Sequence, residues 1–143
     1  MIGEREIEGL FRQGFDCGQV VLASAADKLG LDKDTACKLA AGFGAGMFRG
    51  QSCGAVVGAV MGLGMKYGHF QPGMADAKDQ IRENTLEFQR KFMEIYPSTV
   101  CRDLLGYDIA KPEQMDAILD KGLLFNFCPK VVADASRLLD ELL

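Results

Sequence analysis

The chain has 143 residues, 48% hydrophobic and 25% charged, with a formal net charge of -4. That length allows one globular unit with a real core, and the charge leaves no basic excess to neutralise nucleic-acid phosphates. The longest apolar run, Cys53 to Met65, is 13 residues, too short to span a bilayer. The charged opening Met-Ile-Gly-Glu-Arg-Glu lacks the apolar centre of an export signal. The expectation is one soluble, cytoplasmic domain over residues 1–143, with no nucleic-acid partner.

In chain order, Ile7, Leu10 and Phe11 mark a helix over Glu4 to Gln13, which Gly14 stops. Asp16 starts the next, with Gln19 completing a capping box and Val20, Val21, Ala23, Ala25 and Leu29 giving an apolar side. Asp32 or Asp34 caps a third helix that ends near Ala41. Gly42-Phe-Gly-Ala-Gly46 reads as a flexible connection. It is not a phosphate loop, since no Lys-Ser/Thr follows.

Ser52 is the expected N-cap of the next helix, with Cys53 in its first turn. Gly54, Gly58 and Gly62 recur every four residues there and form one smooth face. Glycine costs roughly 1 kcal/mol against alanine inside a helix, so close approach of another backbone is the expected return. A neighbouring helix or a second subunit could lie there. His69 to Gly73 is a turn, and Met74 to Tyr96 is the longest helix. Ile81, Thr85, Phe88, Phe92 and Ile95 form its apolar stripe, and Pro97 ends it. Ser98 or Thr99 caps a short helix closed by Gly106. Pro112 opens another, with Met115, Ile118 and Leu119 inward, and Gly122 stops it. Asn126-Phe-Cys-Pro opens the last, with Val132, Ala135, Leu138, Leu139 and Leu142 inward. No stretch alternates as a half-buried strand does. The fold class expected is all-α, a bundle of six to eight helices.

Five cysteines, an odd number, point away from a structural disulfide framework in a reducing compartment. Cys17, Cys53, Cys101 and Cys128 all fall at expected helix starts, where unpaired N–H groups and the helix dipole favour thiolates. Thiolates attack disulfides, bind metals and hold iron–sulfur clusters. Arg102 and Arg49 add positive charge near two of them, while Asp16 and Asp103 oppose it. Cys37 lies mid-helix among alanines and is expected to be structural. There is no Cys-x-x-Cys and no Cys-x-x-Cys-His, so any shared site needs cysteines brought together by the fold. His69, the lone histidine, sits in a turn and is expected to be solvated.

The order Cys17, Gly42-Phe-Gly-Ala-Gly46, Cys53-Gly-Ala-Val-Val-Gly58, Cys101-Arg-Asp-Leu-Leu-Gly106 and Cys128 resembles the redox-active protein family labelled C_GCAxxG_C_C. The resemblance covers nearly the whole chain. It implies that the four characteristic cysteines are Cys17, Cys53, Cys101 and Cys128, with Cys37 outside the pattern. Ser52 stands where the family label has glycine. A related domain occurs with split-Soret-type cytochromes, which implies an iron–sulfur site as an expectation. The absence of a haem attachment motif leaves haem without support from the sequence.

Two classes of function follow. In the first, the four cysteines are catalytic, either cycling between dithiol and disulfide with Cys53 as nucleophile, or holding an iron–sulfur cluster that passes electrons to an unidentified redox partner. In the second, the chain is a non-catalytic module whose cysteines bind a structural zinc ion or simply fill space. The sequence favours redox.

Overall fold

The computed structural model covers Met1–Leu143 and is all-helical, apart from one isolated bridge between Ser52 and Val100. The order is α1 (Glu4–Arg12), α2 (Cys17–Ser24), α3 (Ala26–Leu29), α4 (Lys33–Ala40), α5 (Gly54–Tyr67), α6 (Ala75–Ile95), α7 (Cys101–Leu105), α8 (Pro112–Asp120), α9 (Leu123–Asn126) and α10 (Cys128–Leu142). Seven of these have eight residues or more, as the periodicity predicts. The other three are short turns of helix. The expected second helix is divided into α2 and α3, because the Ser24 hydroxyl donates to the Val21 carbonyl at 2.7 Å and the backbone tightens at Ala25.

Stops and caps follow the sequence closely. Gly30, Gly106 and Gly122 each take a left-handed φ at a helix boundary. The Asp32 carboxylate accepts from the Thr35 amide at 3.0 Å, and Pro112 is the first residue of α8. Phe88 and Phe92 of α6 are fully buried, whereas Ile95 and Leu119 of the expected inward sets are exposed. The main core joins α1, α2, α5, α6 and α10 through Ile7, Val21, Leu63, Phe88, Phe92 and Val132. A smaller core of Cys101, Leu105 and Ile118 lies under α7 and α8. No helix is long and apolar enough to cross a membrane.

The glycine face of α5 has its partner inside the chain. A Cβ on Gly58 would lie 2.6 Å from the Gly18 carbonyl oxygen, and one on Gly18 would lie 2.9 Å from that of Gly54. The backbones of α2 and α5 therefore touch, and both glycines are buried. Gly62 points elsewhere, towards Leu139 of α10. By contrast, a Cβ on Gly64 would meet nothing within 4 Å, and its φ is not left-handed. Gly64→Ala is expected to stabilise the protein by roughly 0.5–1 kcal/mol, measured by denaturant unfolding. A destabilised variant would contradict the open space at this site.

Candidate functional site

The α2–α5 crossing brings the first two cysteines together. Cys17 is the first residue of α2, after Asp16, whose N–H donates to Gln19 Oε1 at 2.9 Å. Gly54 must be glycine, because a Cβ there would overlap Cys17 Sγ and come within 2.5 Å of the Phe43 carbonyl oxygen. Missing side chains at Gly18, Gly54 and Gly58 thus allow the start of α2 to rest against the start of α5.

Cys53 and Cys101 are joined through backbone. Cys53 N–H donates to the Thr99 carbonyl at 2.8 Å, and Cys101 N–H donates to the Gln51 carbonyl at 2.6 Å. This short antiparallel pairing corrects two sequence expectations. Ser52 is the bridge residue, not the cap, and Cys53 itself occupies the N-cap position of α5, with φ -56° and ψ 127°. Likewise Val100, not Ser98 or Thr99, precedes α7 as its cap residue; the Ser98 hydroxyl accepts from the Val100 amide at 3.0 Å.

Between these pairs runs a segment the sequence reads as a flexible connection. Instead it is a defined turn. Ala45, Gly46, Met47 and Phe48 are consecutively left-handed, with φ of 50°, 62°, 60° and 59°. For L-residues that conformation costs roughly 1–2 kcal/mol each. Backbone bonds from Phe48 to Gly44 (2.8 Å), Gly50 to Ala45 (3.1 Å) and Gln51 to Gly46 (3.0 Å) hold it. A Cβ on Gly46 would lie 2.9 Å from Cys101 Cβ, and the Ala45 amide acts on the Cys17 thiol. The turn is wedged between two of the cysteines.

Cys128 opens α10, followed by the buried Pro129. A short helix, α9, leads through Phe127 almost directly into α10. The Phe127 ring meets Tyr96 edge-on at 6.2 Å, and the Tyr96 hydroxyl donates to Asp134 at 2.5 Å. All four cysteines line one cavity of about 460 Å³. Its walls are otherwise apolar side chains and Asp16, with no lysine, arginine or histidine.

Burial decides the electrostatics. The Cys17 thiol is pushed up to about 12, first by desolvation and then by Cys53; the amides of Ala45 and Gly18 act the other way. Cys53 is pushed up to about 11 by desolvation, against the opposing amides of Val56 and Ala55. Cys101 rises to about 11 through burial, Cys17 and Asp108. Cys128 is raised by burial and then by the other three. The expectation of acidic thiols at helix starts is therefore corrected. The helix-start amides do face Cys17 and Cys53, but loss of water outweighs them.

These shifts set a pH dependence. A thiol whose folded pKa exceeds its unfolded value stabilises the fold fully below the unfolded value, and that contribution is lost as pH rises through the folded one. For Cys53 and Cys101 the window runs from 9.0 to about 11. Metal-free, reduced protein is expected to lose stability steeply across that window, as followed by thermal unfolding. A flat profile would contradict the burial of the Cys53 and Cys101 thiols.

The remaining candidates lie apart. Cys37 is half-buried on α4, where its carbonyl accepts from Gln19 Nε2 at 3.1 Å, and it does not line the cavity. His69 is exposed and does not line it either. Sequence reasoning missed Gly18 and the left-handed turn. Gly18, directly after Cys17, was the available signal for the first; alanine, methionine and phenylalanine give none for the second.

No curated protein and no solved structure matches the chain. A family model described as "Putative redox-active protein (C_GCAxxG_C_C)" matches residues 15–142, a span that holds all four cavity cysteines. With nearly the whole sequence covered, the chain belongs to the C_GCAxxG_C_C family.

Proposed function

We propose that Cys17, Cys53, Cys101 and Cys128 form one redox centre and hold an iron–sulfur cluster as an electron carrier. The observation that carries this reading is that all four cysteines line one apolar cavity. Each of the six pairs among them is near enough for one charge to raise the other's pKa. Yet no three histidine, cysteine, aspartate or glutamate side chains gather closely enough to hold one metal ion. A tetrahedral zinc ion needs four sulfurs at about 2.3 Å from a common point. Four thiolates are the usual donors of iron–sulfur clusters. When bound, such a cluster supplies one-electron transfer.

The chain's own residues supply the rest. The amides of Gly18, Ala45, Ala55 and Val56 act on Cys17 and Cys53 and favour charge on their sulfurs. The apolar surroundings desolvate the four thiols and hold them neutral when no metal is bound. Loading therefore releases protons, and the positive charge of the metal replaces them. The same burial leaves little thiolate at neutral pH, which disfavours rapid dithiol–disulfide exchange.

Metal analysis, acid-labile sulfide and a visible spectrum on protein purified without oxygen test the reading. Iron with sulfide and charge-transfer absorption is expected. Zinc without colour would replace it with a structural site. No metal, with two thiols lost on mild oxidation and regained on reduction, would replace it with a dithiol mechanism.

A further inference from the structure

The cavity is larger and more aromatic than ligation by four cysteines requires. A void of about 150 Å³ lined by aliphatic and aromatic side chains already admits benzene, and small-molecule sites commonly enclose about 300–1,000 Å³. This one measures about 460 Å³. Away from the cysteines its wall is built by Phe11, Phe15, Phe48, Phe125 and Phe127, from three separate stretches of the chain, with Met115 among the aliphatic residues. Phe15 and Phe48 are 38% and 56% exposed, so they lie where the cavity meets solvent. Phe48 is presented from the left-handed turn, a backbone that phenylalanine does not adopt by preference.

Charge narrows the class of ligand. No cationic side chain lines the cavity, so an anion finds no counter-charge there. Asp16, the one ionisable wall residue besides the cysteines, opposes an anion further. Aromatic faces favour a flat, apolar molecule that can stack or meet ring edges.

We propose that the cavity binds a small, uncharged aromatic molecule of about two fused rings against the cysteine wall. The proposal rests on the redox reading only in placing that molecule beside the redox centre, as the class of electron partner the site admits. Binding itself needs only the cavity.

The test uses the full chain, both metal-free and reconstituted with iron and sulfide, titrated with N-phenyl-1-naphthylamine as an uncharged fluorescent probe. The chain contains no tryptophan, so the probe is read against a low background. Saturable binding of one probe per chain is expected in the metal-free protein. The anilinonaphthalene sulfonate analogue is expected to bind at least about tenfold more weakly, since its charge must be desolvated without a partner. Two variants map the site: Phe15→Glu, which puts a charge at the mouth, and Met115→Trp, which fills volume. Each is expected to weaken the probe by about tenfold or more while helical content, read by circular dichroism, is kept. If either variant loses its helical content, the other carries the test, and the charge selectivity of the wild type stands without them. Failure to saturate, equal affinity for the sulfonate, or undiminished binding in the folded variants would overturn the proposal. A metal-free protein that binds the probe but never takes up iron would overturn the cluster reading and leave this one intact.

Discussion

Serine in place of Cys53 is expected to abolish the iron content, visible absorption and redox response while leaving the helices in place. Cys53 sits at the junction of the whole site. Its amide is tied to Thr99 beside Cys101, and the following residue, Gly54, lies directly against the Cys17 sulfur. Its thiol acts on both Cys17 and Cys128. Loss of an outer-shell partner typically weakens metal binding by roughly 10–100-fold, and loss of a ligand exceeds that. The fold should survive, because serine is smaller than cysteine and keeps the backbone bonds; leaving its hydroxyl in an apolar wall costs about 1–3 kcal/mol. Cys17→Ser, Cys101→Ser and Cys128→Ser should behave alike, and Cys37→Ser should keep full iron and colour. Iron and sulfide assays with circular dichroism on the five variants decide it. A coloured, redox-active Cys53→Ser protein would remove the four-cysteine centre from consideration, and a colourless Cys37→Ser protein would place a ligand outside the cavity.

Much of this site was legible in the sequence because its parts are local. Asp16 with Gln19, Pro112 and the glycine stops at Gly106 and Gly122 act within a few residues, so each fixed an element boundary that the structure repeats. The four cysteines could be placed at helix starts for the same reason. What could not be read is what depends on distant partners. The glycine face of α5 announced a close neighbour without saying that Gly18 of α2 supplies it. The bridge from Ser52 to Val100 joins residues far apart in the chain and displaced a cap assignment that was locally sound. Thiol acidity depends on distant partners in the same way. A helix start contributes a field that the sequence predicts, whereas burial of Cys17 and Cys53 arises only when α2, α5, α7 and α10 have closed round the cavity. The left-handed run from Ala45 to Phe48 goes against the preferences of its own residues, and strain of that kind clusters at functional sites.

Gly58→Ala is expected to cost the protein both stability and iron uptake at the proposed centre, although alanine is the better helix former. Propensity alone would favour the change by about 1 kcal/mol. The new methyl carbon would stand 2.6 Å from the Gly18 carbonyl oxygen and 3.1 Å from its Cα. Both are backbone atoms of a buried helix, so no flexible side chain can yield. Relief requires α2 to move off α5, and overpacking of this kind typically costs about 1–3 kcal/mol. The steric term therefore exceeds the propensity gain, and unfolding should shift to lower denaturant. The displacement has a direction with chemical meaning. Cys17 immediately precedes Gly18, so lifting α2 carries that thiol away from Cys53, and iron uptake should fall beyond what lost stability explains. Gly64→Ala, on the same helix with open space above it, separates the two effects, since it should stabilise the chain and keep full iron. If Gly58→Ala were as stable and as well loaded as the wild type, the close crossing of α2 and α5 would not be what brings Cys17 to the site.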